Sequence, residues 1–238
     1  MVAANFLLFT SRFSYYLLSL HPMETTILLV RHGETIDNAR QIMQGQVQGE
    51  LNERGREQAR QTAERLASEH VDAIVASDLH RAIQTAEIIA QPHGLPVVTT
   101  PLLRERDWGS FTGRYIPNLM GLQWPDDVEA EEVLLARAYA FLVYITTTYP
   151  GKRVVAVGHG IINKAILAVY AQCTMREVQR MMNAEVRILT TSAVRVAATT
   201  TAPCTAATAA TAGSSAEGSA AAGGTTIAEV AAAAATAE

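Results

Sequence analysis

The stretch T-T-I-L-L-V-R-H-G-E-T, Thr25 to Thr35, decides the fold. Thr25 to Val30 is a short apolar run with the length and β-branching of a buried strand. Arg31-His32-Gly33 ends it abruptly. Farther along, R-V-V-A-V at Arg153–Val157 repeats the design and ends in Gly158-His159-Gly160. Between them D-A-I-V-A, Asp72–Ala76, reads as a strand ended by Ser77-Asp78, and Leu95–Thr99 as another. Each is followed by a segment of helical character. A polar stretch from Asn52 to about Ser68 carries Ala59, Ala63 and Leu66 at helical spacing, with Asn52 as its N-cap. Ser77-Asp78 is expected to cap a helix whose apolar face is Leu79, Ile83, Ala86 and Ala90. Further helices are expected over Glu129–Thr147, Ile161–Tyr170 and Thr174–Met182, and a last strand over Val186–Val196. Gly109–Asp127 reads as irregular.

Strands alternating with helices predict a three-layer α/β/α fold with a mainly parallel central sheet. In such sheets ligands bind at the rim formed by the strands' carboxyl ends. Arg31-His32, Ser77-Asp78 and Gly158-His159 all fall on that rim. An Arg is a forked cation suited to phosphate, and a Gly lets the backbone approach a ligand closely. Two histidines delivered to one rim, each beside glycine, point to a shared anion. Taken singly, each residue also has a plain reading. Arg81 could be a helix-surface cation, Glu105 a solvated charge between Arg104 and Arg106, and Asn38 a turn residue. His21, His70, His80 and His93 carry no motif and read as surface or loop residues. Trp108 and Trp124 read as core or pocket-wall aromatics.

The composition sets the frame. The chain has 238 residues, 49% hydrophobic and 18% charged, with a formal net charge of -4. It is long enough to bury a core without disulfides, and its mild acidity argues against a nucleic-acid or anionic-membrane binder. Two cysteines, Cys173 and Cys204, are too few for a disulfide framework, and no C-x-x-C pair exists. A reducing, cytoplasmic setting is the expectation. Residues 1–23 contain no acidic residue and no apolar run long enough to span a bilayer. They read as an N-terminal extension, by an upstream start or as a weak organelle-targeting segment. Of the 42 residues from Ala197 to Glu238, 28 are Ala or Thr, so this stretch offers little apolar surface to bury and reads as a disordered tail. The expected folded domain is 24–196.

The order of motifs resembles the histidine phosphatase superfamily, the phosphoglycerate-mutase-like proteins. R-H-G-E-T at Arg31–Thr35 is similar to that family's nucleophile motif. Asn38 falls at its phosphate-pocket Asn, and Gln44-Gly45, Leu51, Gly55, Gln58 and Ala59 resemble the stretch into its first long helix. Ser77-Asp78-Leu79 with Arg81-Ala82 and Gln84-Thr85-Ala86 is similar to its second Arg motif. Leu103-Arg104-Glu105 resembles the acid-bearing segment, and Val157-Gly158-His159-Gly160 the second His motif. The resemblance implies His32 as the nucleophile forming a phosphohistidine, its other ring N–H held by a backbone carbonyl. It implies Arg31, Arg81 and His159 around the phosphoryl group, and Glu105 as the acid and base. Asn38, Gln44 and the backbone at Gly45 and Gly160 would bind substrate, with the helix starting near Ile161 aimed at the same anion. Neither metal nor cofactor is implied. The expected partner is a small phosphorylated substrate, with no nucleic acid and no membrane span, and a homodimer is left open.

Only 54 positions separate Glu105 from His159. Mutases of this family carry a longer insert there, so a phosphatase is favoured over mutase-type phosphoryl transfer. After Gly160 stands Ile161, where many relatives have a second Gly, which would narrow the mouth of the site. Three rival readings compete with this one. A dinucleotide fingerprint at Val154–Gly160 has Asn163 in place of its third glycine. A zinc hydrolase begun by His32-x-Glu34 lacks its cysteine pair, and no H-E-x-x-H, G-x-S-x-G or P-loop is present. A non-catalytic phosphate-binding protein on this fold would lack the nucleophile or acid, and both are here.

Overall fold

The computed structural model describes residues 23–198. The expected extension apart from Met23, and all of the expected tail beyond Ala198, lie outside these residues. Five strands form one sheet in the order β3-β2-β4-β1-β5: β1 Thr25–Arg31, β2 Ala73–Ser77, β3 Val97–Thr100, β4 Arg153–Gly158 and β5 Val186–Thr191. β1, β2, β3 and β4 run parallel, and β5 closes the edge antiparallel to β1. β1 and β4 pair from Thr26 opposite Arg153 to Arg31 opposite Gly158. That register brings Arg31-His32 and Gly158-His159 out of the sheet side by side. The expected mainly parallel α/β/α architecture is the observed one.

Because β1 and β4 are central, both of their faces are covered, and side chains alternate between two cores. Ile27, Leu29, Val154 and Ala156 face one layer, which holds α4 Glu131–Thr148, α5 Gly160–Ala171 and α6 Ala193–Ala198. Leu28, Val30, Val155 and Val157 face the other, with α2 Glu53–Leu66 and α3 His80–Ala90. The short α1, Ile36–Ala39, follows the R-H-G-E-T turn and starts with a capping box between Thr35 and Asn38. Asn52 caps α2 as expected, its side chain accepting from the Gly55 N–H at 2.8 Å.

Three element expectations are corrected. Ser77-Asp78 does not cap α3. Its N-cap is Leu79, and its first N–H groups donate to Gln48 instead: His80 N to the side-chain oxygen at 2.9 Å and Arg81 N to the backbone carbonyl at 3.3 Å. Asp78 is taken by Arg104, which grips it through Nε at 2.8 Å and Nη2 at 2.6 Å. No helix forms over Thr174–Met182. Glu177 closes a single turn on Thr174, and the chain then extends so that the Met181 carbonyl can accept from Arg31 at 2.7 Å. The last strand stops at Thr191, because Ser192 accepts from the Arg195 N–H and opens α6. Val196, read as strand, is instead a buried residue of that helix, which continues to Ala198. Among the described residues no helix is long and apolar enough to cross a membrane.

Candidate active site

His32 leaves β1 almost fully buried, 3% exposed. Its Nδ1 lies 2.7 Å from the Gly33 carbonyl oxygen. A carbonyl only accepts, so Nδ1 carries the proton and Nε2 keeps its lone pair. The His32 carbonyl accepts from the Asn183 side chain at 3.0 Å, and that amide also reaches Asn38 Oδ1 at 3.4 Å. The peptide behind the ring is thus tied to both sides of the cleft.

His159 faces His32 with ring centroids 5.0 Å apart. Arg81 Nε donates to His159 Nδ1 at 3.1 Å. A guanidinium only donates, so Nδ1 here is the acceptor and Nε2 carries the proton. That Nε2 is buried with no partner. The two rings therefore hold opposite tautomers: one offers a lone pair, the other an unspent N–H. Burial holds both well below the usual imidazole range, and the Arg81 charge adds to the effect. Both are neutral at neutral pH. His159 therefore presents a neutral N–H donor and no positive charge.

The charge comes from the guanidinium groups. Arg81 is 1% exposed and is spread among acceptors, with Nη2 donating to the Gly45 carbonyl at 2.8 Å and Nη1 to the Val47 carbonyl. Arg31 is 7% exposed and donates through Nη1 to Met181, while its Nε is buried without a partner. Burial pulls each guanidinium down to about 10, with Glu105 opposing the shift in both. Each stays charged at neutral pH.

Glu105 is buried and reaches the same place from the loop after β3. Its Oε1 accepts from the Arg106 N–H at 2.9 Å, Ile161 at 3.0 Å and Ile162 at 3.1 Å. Oε2 takes only a longer bond, 3.2 Å, from Ile161. The start of α5 is thus aimed at Glu105 rather than at open space for an anion, which revises the expected helix-terminus contact. One oxygen is anchored by three N–H groups; the other takes a single longer bond. Arg137, paired with Glu129 at 2.8 Å and reaching the carbonyls of Arg104 and Glu105, braces the segment from behind.

The remaining predicted residues sort differently. Asn38 caps α1 and meets Asn183 at the cleft. Gln44 is buried, its Nε2 donating to Thr35 Oγ1 at 2.8 Å and its Oε1 without a partner. Gly45, at φ +53, turns its carbonyl to Arg81, so it orients a cation before it could serve an anion. Gly160 leaves room for the Arg180 side chain, whose Nε would lie 3.1 Å from a Cβ there. Gly33 was read as room for a ligand. A Cβ there would instead lie 2.4 Å from the Gly55 carbonyl oxygen, and one on Gly55 would lie 2.0 Å from that of Glu34. The two glycines let the start of α2 close onto the His32 turn. Ile161 is half-buried against the core. Trp108 and Trp124 are not core. Trp124 is 51% exposed, and the Arg106 guanidinium sits 5.2 Å and 4.5 Å from the two ring centroids. Of the motif-free histidines, His70 and His80 are exposed and His93 is half-buried, while His21 lies outside the described residues.

Sequence reasoning missed Asn183 and Arg180. Arg180 lies inside the segment expected as a helix and Asn183 directly after it, where no motif marks them. Arg180 lines a cleft of ≈ 450 Å³ together with Arg31, Asn38, Met120 and Met182. Among the described residues no group of His, Cys, Asp and Glu is arranged to hold a metal ion.

Known proteins bear on this arrangement. Residues 27–201 match the family model described as Histidine phosphatase superfamily (branch 1). The chain is 34% identical over 179 residues to phosphoglycerate mutase-like protein 4 of Arabidopsis thaliana, covering 68% of this chain and 77% of that one. It is 35% identical over 182 residues to a metal-independent phosphoserine phosphatase of the same plant, covering 69% and 76%. Among solved structures it resembles a mycobacterial glucosyl-3-phosphoglycerate phosphatase, with a TM-score of 0.64 and 28% identity, covering 70% of this chain and 90% of that one. The two phosphatases fit the phosphatase side of the family and the first relative is named for the mutase side, so the chemistry they support together is phosphoryl transfer or hydrolysis. The sequence motifs, the fold and a match spanning most of the chain agree: this protein belongs to the histidine phosphatase superfamily, branch 1.

Proposed function

We propose that this chain is a metal-independent phosphomonoesterase acting on a small phosphorylated substrate through a phosphohistidine at His32. The observation that carries the reading is the pair of opposite tautomers: a lone pair on His32 Nε2 facing an unpartnered N–H on His159. The lone pair attacks phosphorus as the ester P–O bond breaks. Negative charge spreads over the equatorial oxygens, and His159 Nε2–H with the guanidinium groups of Arg31 and Arg81 would receive it. Protonated Glu105 gives its proton to the leaving oxygen, and Oε2 is the oxygen with room to do so. Glu105 then takes a proton from water, the water oxygen attacks the phosphohistidine, and the P–N bond breaks to restore the lone pair and release phosphate. Fixed cations and N–H donors supply the electrostatic stabilisation, which supports metal independence.

The experiment is turnover of an aryl phosphate by wild type and His32→Ala. We expect the variant to lose activity by about a hundredfold or more while keeping its circular dichroism spectrum. We expect EDTA to leave wild-type turnover unchanged. A catalytically competent His32→Ala protein, or a wild type silenced by chelation, overturns the mechanism. Running the assay with 2,3-bisphosphoglycerate and 3-phosphoglycerate separates mutase transfer from hydrolysis.

A further inference from the structure

Arg180 is the charge that this mechanism does not use. It is exposed, and among the described residues no carboxylate lies within ion-pair distance of it. Three acidic groups around the cleft are already engaged, and a fourth, Asp37, acts on the buried Arg81 charge. Glu34 is held by Arg54 and Asn52, and Glu185 by Arg187 and the Met182 N–H. Glu105 is anchored on the start of α5. The Arg180 side chain lies over Gly160, where an added Cβ would meet its Nε at 3.1 Å and Nη2 at 3.2 Å. It therefore stands at the mouth of the site, on the same cleft as Arg31. An unneutralised guanidinium beside a buried one is a costly arrangement unless an anion completes it.

Position separates that anion from the transferred phosphoryl group: Arg31 and Arg81, both buried, already serve the inner end with His159. Arg180 stands farther out. Beyond it the cleft is walled by Ile116, Pro117, Met120 and Met182, of which Met120 is 79% and Met182 73% exposed. A substrate whose phosphate sits at His32 would lay its organic body along these apolar groups and reach Arg180 with whatever it carries there.

Resting on the phosphatase reading, we infer that Arg180 is a specificity residue that recognises a second anionic group, a carboxylate, on the substrate. A guanidinium matches a carboxylate with two parallel N–H···O bonds. The phosphoserine and glucosyl-3-phosphoglycerate in the names of two relatives are compounds of this class.

The test uses 3-phosphoglycerate and glycerol 3-phosphate, in which a carboxylate is replaced by a hydroxymethyl group. The readout is the ratio of kcat/KM between the two substrates. We expect Arg180→Ala to lower that ratio by about tenfold to a hundredfold, the worth of a charge-assisted contact. Arg180→Lys should restore part of it. A variant that slows both substrates by one factor would place Arg180 on the phosphoryl group, and a variant that changes neither would make it a surface charge; either result overturns the inference. Calorimetric binding of both compounds to the His32→Ala chain, with and without Arg180→Ala, reads the same ratio without turnover. Arg180-dependent binding of 3-phosphoglycerate with no hydrolysis by wild type would sustain this inference and defeat the phosphatase reading. Hydrolysis with no Arg180-dependent ratio would do the reverse.

Discussion

Each of the two facing imidazoles has one nitrogen committed, to the Gly33 carbonyl in His32 and to Arg81 in His159, so neither ring is free to exchange roles. Both are buried and held well below the unfolded value of 6.5. Between the lowered folded value and 6.5 the unfolded chain binds more protons than the native one, so stability rises with pH across that window. It is complete above about 6.5 and is lost on acidification below it, with a limiting slope of about 1.4 kcal/mol per pH unit for each ring. Urea midpoints measured from pH 7.5 down to 5 should fall, and His159→Gln should flatten the fall. A profile identical in the variant would mean that His159 is not the source. Glu105→Gln tests the acid at the same scale. The amide oxygen can keep the three N–H bonds, so the loss falls on proton transfer. Alkyl phosphates should slow by about a hundredfold or more, and aryl phosphates with good leaving groups by much less. Equal slowing of both would remove Glu105 from that role. The sequence announced His32 and His159 because each stands at a strand end beside a glycine, whereas Glu105 was legible only through the resemblance of Leu103-Arg104-Glu105 to the family's acid-bearing segment. The sequence could not announce the neutrality of His159, which depends on Arg81 arriving from another element.

At the level of elements, the legible parts were those whose period or capping residue is local. β1, β2 and β4 are short apolar runs, and Asn52 caps α2 with its own side chain. The parts that misled are those decided by distant partners. α3 takes its capping acceptors from Gln48, and the segment after α5 extends because Arg31 and Asn163 engage Met181. α2 approaches the His32 turn closely. Gly55→Ala would put a methyl group 2.0 Å from the Glu34 carbonyl oxygen, a backbone atom with nowhere to swing. Overpacking of this kind costs about 1–3 kcal/mol. The urea midpoint should drop accordingly, and kcat/KM should fall with it as the His32 turn shifts. An unchanged midpoint would show that α2 slides without penalty.

Across the whole molecule, the sheet order places β4 between β2 and β1, so that the carboxyl ends of β1 and β4 emerge together and the Arg81 helix flanks them. Parallel pairing was readable from the alternation of elements, but the antiparallel β5 edge and α6 were not, since Val194 and Val196 continue the alternation of β5 by chance of composition. We propose that the catalytic unit extends through α6 rather than stopping at Val196, whose side chain is part of the core. A chain of residues 23–201 should fold and keep turnover within about twofold of the full chain, whereas one cut before Ala193 should lose stability. Loss of activity in the longer truncation would refute that boundary. The bonds from Arg31 to Met181 and from Asn183 to His32 join positions about 150 apart in sequence. A nascent polypeptide leaving the ribosome therefore exposes His32 long before the groups that hold its turn have been synthesised. On the proposed mechanism, phosphate ester cleavage would begin only when translation has passed that late segment, which would make enzymatic competence a report on completed folding.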